Sequence, residues 1–448
     1  MATTAPIETL GGFRGHDLPS RDVIRSCVHC GLCLPSCPTY VMTRRERSSP
    51  RGRIWLMKEV SEGKLDLLDP LFEEEMYLCL NCRACEAVCP SGVKYGEIVE
   101  ASRAQIEQAR QPAPKVRLLR KLVFHFLFTD MRRFRAASAA LRLYQRSPLP
   151  RLLERSGLLT RLGLAEAHKL MPTVSARFVV PSGETMPAQG TWRGRVGLFT
   201  GCIMSTAYAD IHQATIRVLT RNGYEVTLIN GQGCCGALHV HAGDPNAGRA
   251  LARKNIDAFD NPHLDAIIVN AAGCGAALKE YGHLLKDDPA YAERAAAFAS
   301  RVQDVTEFLA AQGLSAEPGP LPITVTYQEP CHLAHAQRIT RQPRHLLKAI
   351  PELRLVEMPE SSLCCGSAGI YNLMRPEMAS ALLARKLDNA LSTGAGVIVS
   401  ANPGCMLQLT AGLRARGDSR PVLHLVEVLD RAYAAAEAHA RSVGADAQ

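Results

Sequence analysis

The sequence predicts a mixed architecture, α-helical at the N-terminus and α/β beyond it, with parallel sheets in two tandem cysteine-rich modules. Three observations lead there. Two eleven-residue runs, "CVHCGLCLPSC" at 27–37 and "CLNCRACEAVC" at 79–89, each hold four cysteines. A cysteine-free stretch follows, with apolar residues at helical spacing. Two later segments then repeat one order of Val/Ile-rich runs, helical patterns and Cys-Cys-Gly loops.

The chain divides accordingly into a leader (1–20), a four-cysteine-run module (21–100), a basic helical connector (101–190) and two Cys-Cys-Gly modules (191–315 and 320–440). At 448 residues it can bury several cores, so its 16 cysteines are not needed as staples. Their grouping into short regular clusters suits cofactor ligation better than a secreted disulfide framework. The leader "MATTAPIETLGGFRGHDLPS" has no basic-then-apolar signal pattern, and no run of eighteen apolar residues occurs. A cytoplasmic protein that does not span the membrane is expected.

Each opening run reads C-x2-C-x2-C-x3-C-P, the ligand run of a bacterial-type ferredoxin. The first three cysteines of a run wrap one corner of a cubane cluster, and the fourth reaches the other cluster. Cys27, Cys30, Cys33 and Cys89 are therefore expected to hold one [4Fe-4S] cluster, and Cys79, Cys82, Cys85 and Cys37 the second. Pro38 and Pro90 then turn the chain away from the sites. Zinc also takes four thiolates, but seldom from one eleven-residue run.

In the connector, "KVRLLRKLVFHFLFTDMRRFRAASAALRLYQR" reads as basic amphipathic helices. Residues 101–170 carry fifteen Lys/Arg against four Asp/Glu, so the net charge of +9 is local to this segment. Aromatic residues do not interleave with these arginines, which argues against nucleic acid. Such helices pack on their own protein with arginines in water, or dock on a partner or on anionic headgroups.

In the first Cys-Cys-Gly module, strand-like runs end at Cys202, at Cys234-Cys235 and at Cys274; in the second they end at Cys331, at Cys364-Cys365 and at Cys405. The intervals are 32, 1 and 39 in one copy and 33, 1 and 40 in the other, so the architecture is duplicated. In open α/β sheets, ligands bind past the strand ends where these cysteines fall. Adjacent cysteines diverge too far for an easy mutual disulfide. Each quartet could hold a further iron–sulfur cluster or zinc, or be buried structural thiols, and "EPCHLAH" and "NPGC" give the second copy the richer loop chemistry. His239, His241, His332 and His335 could supplement the thiolates, although a loop histidine is more often simply hydrogen-bonded. "GQGCCG" at 231–236 satisfies G-x-G-x-x-G, yet the two cysteines inside it and the lack of a well-placed acidic residue further on argue against a dinucleotide.

With both cysteine systems placed, the chain resembles the glycolate oxidase iron-sulfur subunit family. That group also includes iron-sulfur subunits of anaerobic glycerol-3-phosphate dehydrogenase and of lactate utilisation systems, and heterodisulfide reductase subunits. The stretches that carry the resemblance are "CVHCGLCLPSCPTY", "SPRGRIWLMKEVSEG", "CLNCRACEAVCPSGVKYG", "CCGSAGIYNL" and "NPGC". It implies an electron-transfer subunit without a catalytic residue of its own, which takes electrons from a flavin-binding dehydrogenase subunit oxidising a 2-hydroxy acid. It passes them to a quinone or another acceptor, and peripheral membrane association would give access to the quinone. Flavin and nicotinamide would then lie on other chains. Arg51, Gly52 and Arg53 match a family stretch and would bond near a cluster or dock the partner. The alternative, a catalytic subunit of heterodisulfide reductase type, meets a departure. Cys274 is followed by "GAA" and Cys405 by "MLQ", so neither module has the fifth cysteine of the C-x-x-C ending.

Overall fold

A computed structural model describes residues 9–445, so the first eight residues of the expected leader lie outside the described part. Strands β1 (Thr9–Leu10) and β2 (Phe13–Arg14) form a small antiparallel hairpin. Phe13 is fully buried, edge-on to Phe72.

The module that carries the two cysteine runs is helical, as expected. Ser20 caps the helix Arg21–Arg25, whose end delivers the chain to Cys27. Pro50 opens the helix Pro50–Ser61, with Ser49 accepting from Gly52 N. Asp69 and Pro70 do the same for Pro70–Leu78, which stops at Cys79. The core of this module gathers Ile24, Ile54, Met57, Phe72, Met76 and Ile98 beneath the cysteine loops. Burial of such side chains contributes about 1.5–3 kcal/mol each, enough to order loops that carry no regular structure. The last helix, Tyr95–Ala109, runs through residue 100 toward the connector.

The connector comprises the helices Pro114–Arg120, Met131–Arg146, Leu149–Ser156, Leu158–Arg161 and Ala165–Lys169, the first continuing as a wider π-type turn over Lys121–Leu127.

The first Cys-Cys-Gly module holds β3 (Thr185–Met186), β4 (Gly194–Leu198), β5 (Tyr224–Thr227), β6 (Ala266–Val269) and β7 (Val302–Asp304), in the order β3-β5-β4-β6-β7. The second holds β8 (Thr324–Tyr327), β9 (Arg354–Val356), β10 (Val397–Ser400) and β11 (Val422–His424), in the order β11-β10-β8-β9. Leaving out β3, both modules share one topology: the first strand sits between the second and third, and the fourth lies outside the third. All these pairings are parallel except β3 with β5, where a two-residue edge strand runs antiparallel and departs from the expected all-parallel sheet. Strands β6 and β10 are buried throughout, which is why "AIIV" and "VIVS" are continuous apolar runs and do not alternate. One core runs across both modules, from Val196 and Ile268 to Val325, Val399 and Leu425. Helix Ala209–Arg221 and the helix Leu425–Ala445 lie side by side there, joined by Arg217 to Asp430 at 2.6 Å.

Candidate metal centres

The two opening cysteine loops follow the same path. Two residues after the first cysteine of each, His29 (φ 54°) and Asn81 (φ 51°) are left-handed, and two residues further Gly31 (φ 84°) and Arg83 (φ 61°) are left-handed again. A left-handed turn costs a non-glycine residue about 1–2 kcal/mol, so packing must hold it. Arg83 is held by ion pairs to Glu280 at 2.7 Å and Glu100 at 3.3 Å, and Gly96 leaves room for its guanidinium, since a Cβ there would overlap it. Arg51, bonded to His29 O at 3.1 Å and to Glu46, braces the other loop.

Between the loops lie two adjoining cavities. One is lined by Cys27, Cys30, Cys33 and Cys89; the other by Cys37, Cys79 and Cys82. Cys85, Pro50 and Tyr95 belong to the wall between them and border both. The fourth cysteine of each run therefore sits with the first cysteines of the other. All sixteen cysteines of the chain are free of disulfides.

The donor set suits an anionic iron–sulfur cluster in each cavity. Burial pushes the Cys82 and Cys85 thiols well above their usual range, so ionised sulfur there needs metal or positive charge. Two buried guanidiniums line the second cavity, each already paired with carboxylate: Arg53 with the buried Glu75 at 3.3 Å, and Arg83 with Glu280 and Glu100, so the charge that ionised sulfur needs there falls to a metal. Arg53 also bonds Glu75 O at 2.7 Å and Thr39 Oγ1 at 3.1 Å. Hydrogen bonds to sulfur, of the kind that tune a cluster's potential, come from Asn81 N to Cys79 (3.3 Å), Val93 N to Cys89 (3.5 Å) and Tyr95 OH to Cys79 (3.7 Å). Sequence reasoning singled out Arg51 and Arg53 but passed over Arg83, although it stands inside "CLNCRAC", because an arginine between cysteines gives no sign of which way it turns.

In each Cys-Cys-Gly module the four cysteines also meet, at the C-terminal rim of the sheet where the first strand lies between the second and third. Cys202 Sγ is 3.8 Å from Cys234 Sγ, and Cys235 contacts both Cys234 and Cys274. In the second module Cys331 Sγ is 3.9 Å from Cys364 Sγ, and Cys365 contacts Cys364 and Cys405. Hydrogen bonds from Cys202 and Cys235 pull the Cys234 thiol well below its usual range, as those from Cys364 and Cys405 do for Cys365. Among the described residues no three His, Cys, Asp or Glu donors are placed about a single-ion position.

Each of the four candidate histidines has a ring nitrogen bonded to a group other than a cysteine, while the Nδ1 of His239 is buried without a hydrogen-bond partner among the described residues. His239 donates to Phe124 O (2.9 Å), His241 to Glu100 (2.9 Å), His332 to Asn81 O (2.9 Å) and His335 to Ser362 O (3.0 Å). The "GQGCCG" loop is filled by its own Gln232, whose amide donates to Leu198 O and Ile229 O and accepts from Thr200 N.

Family comparisons agree with this layout. Residues 23–93 match a 4Fe-4S dicluster domain, and residues 196–279 and 325–410 match the cysteine-rich domain in two copies. Residues 115–171 match the linker region of the glycolate oxidase iron-sulfur subunit. The probable glycolate oxidase iron-sulfur subunit of Bacillus subtilis (strain 168) is 42% identical over 90% of this chain and 93% of its own length.

The chain belongs to the glycolate oxidase iron-sulfur subunit family.

The Escherichia coli (strain K12) glycolate oxidase iron-sulfur subunit is 34% identical over 93% of this chain and 95% of that protein. Lactate utilization protein A of an Exiguobacterium strain is 28% identical over 52% of this chain and 96% of its own length. As a member of this family, the chain is an iron–sulfur protein, and its cysteine runs are the residues suited to that cofactor. No described helix is long and apolar enough to cross a membrane.

Proposed function

We propose that this chain is the electron-transfer subunit of a flavin-dependent 2-hydroxy-acid dehydrogenase of glycolate type. In this reading the chain divides its work among the dicluster module (21–100), the connector (101–190) and the two Cys-Cys-Gly modules (191–315 and 320–440). Cys27, Cys30, Cys33 and Cys89 hold one [4Fe-4S] cluster, and Cys79, Cys82, Cys85 and Cys37 hold the other. Each cluster supplies reversible one-electron chemistry at low potential. The protein's part is to hold thiolates on two interlocked loops and to keep water from the inner cavity.

The observation that carries this reading is the crossed lining of the two adjoining cavities, Cys89 with the first loop and Cys37 with the second. It favours a relay: the shared wall at Cys85 brings the two sites close. The electrons would come from a flavin-binding partner subunit and leave to a quinone or other acceptor, with the protein on the cytoplasmic face of the membrane. The second Cys-Cys-Gly quartet, Cys331, Cys364, Cys365 and Cys405, would carry a further cluster, because Cys331 and Cys364 pack with Leu80 and Cys82 of the dicluster loop. The first, Cys202, Cys234, Cys235 and Cys274, would be a structural thiol site.

Anaerobic preparation followed by iron and sulfide analysis tests the assignment. About eight iron atoms per chain are expected from the dicluster module. Cys89→Ala and Cys37→Ala should each remove about half of them while sparing different reduced-state electron paramagnetic resonance signals. Zinc without iron or acid-labile sulfide would overturn the reading.

A further inference from the structure

The connector presents apolar side chains outward. Of the twenty large hydrophobic residues exposed in the described chain, eleven fall between Val116 and Leu164, so the exposure is concentrated and needs a cause. The helix Pro114–Arg120 with its continuation Lys121–Leu127 shows the pattern best. Its inner side is tied to the body: Arg120 pairs with Glu107 and donates to Ala242 O at 3.1 Å, the buried Phe124 meets the His239 ring edge-on, and His125 reaches Asp244 at 3.2 Å. A helix anchored this way would ordinarily show water a polar face. Instead Leu118, Leu119 and Leu122 are 69%, 60% and 55% exposed, with Phe126 close to half exposed. Further along, Leu149, Leu152 and Leu162 are exposed as well.

Cations surround these leucines. Residues 115–171 carry thirteen Lys/Arg and three Asp/Glu. Among the described residues, Lys115, Arg117, Lys121, Arg151, Arg155 and Arg161 have no carboxylate partner, unlike Arg110, Arg120 and Arg133. Unpaired cations beside outward leucines match a surface that is negatively charged and apolar just beneath, as an anionic bilayer is. A protein partner would be expected to meet aromatic anchors, which this face lacks apart from Phe126, and leucine is under-represented among binding hot spots.

We propose that residues 114–164 form the membrane-docking surface of the chain. The leucines of Pro114–Leu127 enter the headgroup boundary of an anionic phospholipid bilayer, and the lysines and arginines reach its phosphates. This rests on the relay reading, since a quinone acceptor lies in the membrane, but it specifies the surface that approaches it.

The test is cosedimentation of the full chain, with clusters reconstituted, on vesicles of phosphatidylcholine with phosphatidylglycerol and on vesicles of phosphatidylcholine alone. Binding to the anionic vesicles and little to the neutral ones is expected. Leu118→Gln with Leu122→Gln should lower partitioning about tenfold. Lys115→Gln, Arg117→Gln and Lys121→Gln together should lower it about fivefold per charge removed. Absorbance of the clusters in the same samples reports folding and the relay reading separately. Intact clusters without vesicle binding, or binding unchanged by both sets of substitutions, overturn the surface and leave the relay standing. A leucine variant that keeps vesicle binding but loses a flavoprotein subunit overturns it too, and assigns the face to protein.

Discussion

The two Cys-Cys-Gly modules share strand order, cysteine spacing and a common core, yet their cysteine sites face different neighbours. In the second module, Cys364 and the partly buried Cys331 pack with Leu80, Cys82 and Ala84 of the dicluster loop. Tyr371 OH there donates to Leu78 O at 3.0 Å. In the first module, Cys202, Cys234 and Cys235 pack instead with Met131 and Phe134 of the connector. The charge differs as well. Lys386, fully buried, donates to Glu360 O and Ser361 O and stands near Cys365, Cys364 and Cys405. The first module has the neutral Asn255 beneath its pair, donating to Cys234 O and Tyr281 OH and accepting from Gly233 N. The two modules thus share a frame, while the cysteine site of the second packs on the dicluster loop and has a buried lysine near its thiols.

The equivalent glycines give the largest measurable contrast. Gly236 and Gly366 are both left-handed, at φ 83° and 87°. A Cβ at Gly366 would stand 2.6 Å from Ala379 O, which is backbone and cannot swing aside; at Gly236 the nearest atoms are 3.3 Å away, on Gly248. Gly366→Ala should therefore cost about 3–5 kcal/mol and Gly236→Ala about 1–2 kcal/mol, the latter mostly left-handed strain. Denaturant midpoints check this, and equal costs would mean that the two loops are packed alike.

Much of this was legible beforehand because cysteine spacing survives folding as geometry. The crossed lining of the two cavities by Cys37 and Cys89, the strand before each later cysteine and the internal repeat all follow from local pattern. What the pattern could not carry was contact across modules. Arg83 pairs with Glu280, which is 197 residues away. Lys386 lies in a helix, Pro376–Ser392, where a lysine is ordinarily on the solvent side. The hairpin at Thr9–Arg14 escaped because two-residue strands have no periodicity to detect. The outward leucines of the connector were hidden by the opposite effect: helical spacing announces an apolar face but not which side the protein turns toward itself.

A second contrast lies at the last strand of each module. Asp304 ends β7 and caps the next helix, accepting from Thr306 N, while Glu307 bonds back to Asp304 N. His424 ends β11 in the same position, with Val426 N donating to its Nδ1 and Glu427 accepting from His424 N. Burial pushes the Asp304 carboxyl up to about 6 and the His424 imidazole down to about 4. Lys279, Glu307 and Tyr327 face the former, and His212 and Glu427 the latter. The signs are opposed. Folded Asp304 holds its proton above the unfolded value of 3.8, so its contribution is present at low pH and lost as pH rises toward 6. Folded His424 resists the proton that an unfolded histidine takes near 6.5, so its contribution is present above that pH and lost as pH falls toward 4. Each is worth roughly 3 kcal/mol across its window. Relative to the unaltered chain, His424→Asn should gain about that much on acidification from pH 6.5 to 4. Asp304→Asn should gain a similar amount as pH rises from 4 to 6. Stability measured against pH for the two variants should slope in opposite directions; parallel slopes would mean that neither cap titrates as its burial requires.

The smallest effect concerns the contact between Tyr371 of the second module and the dicluster loop. Tyr371 is buried against the dicluster loop, and its hydroxyl satisfies Leu78 O immediately before Cys79. Tyr371→Phe keeps the ring and its packing and removes only that hydrogen bond, at a cost of about 1 kcal/mol. Leu78 O closes the helix Pro70–Leu78, so freeing it loosens the backbone that sets Cys79 in the second cavity. The expected signature is a small loss in denaturant midpoint together with a changed line shape in one of the two reduced-cluster resonances. The equivalent probe in the first module is Tyr281→Phe, which removes the bond from Tyr281 OH to Cys235 O at 2.8 Å and should lower stability without touching either resonance. If both substitutions altered the dicluster signals, or neither did, the asymmetry between the modules would be one of packing alone and not of electronic contact.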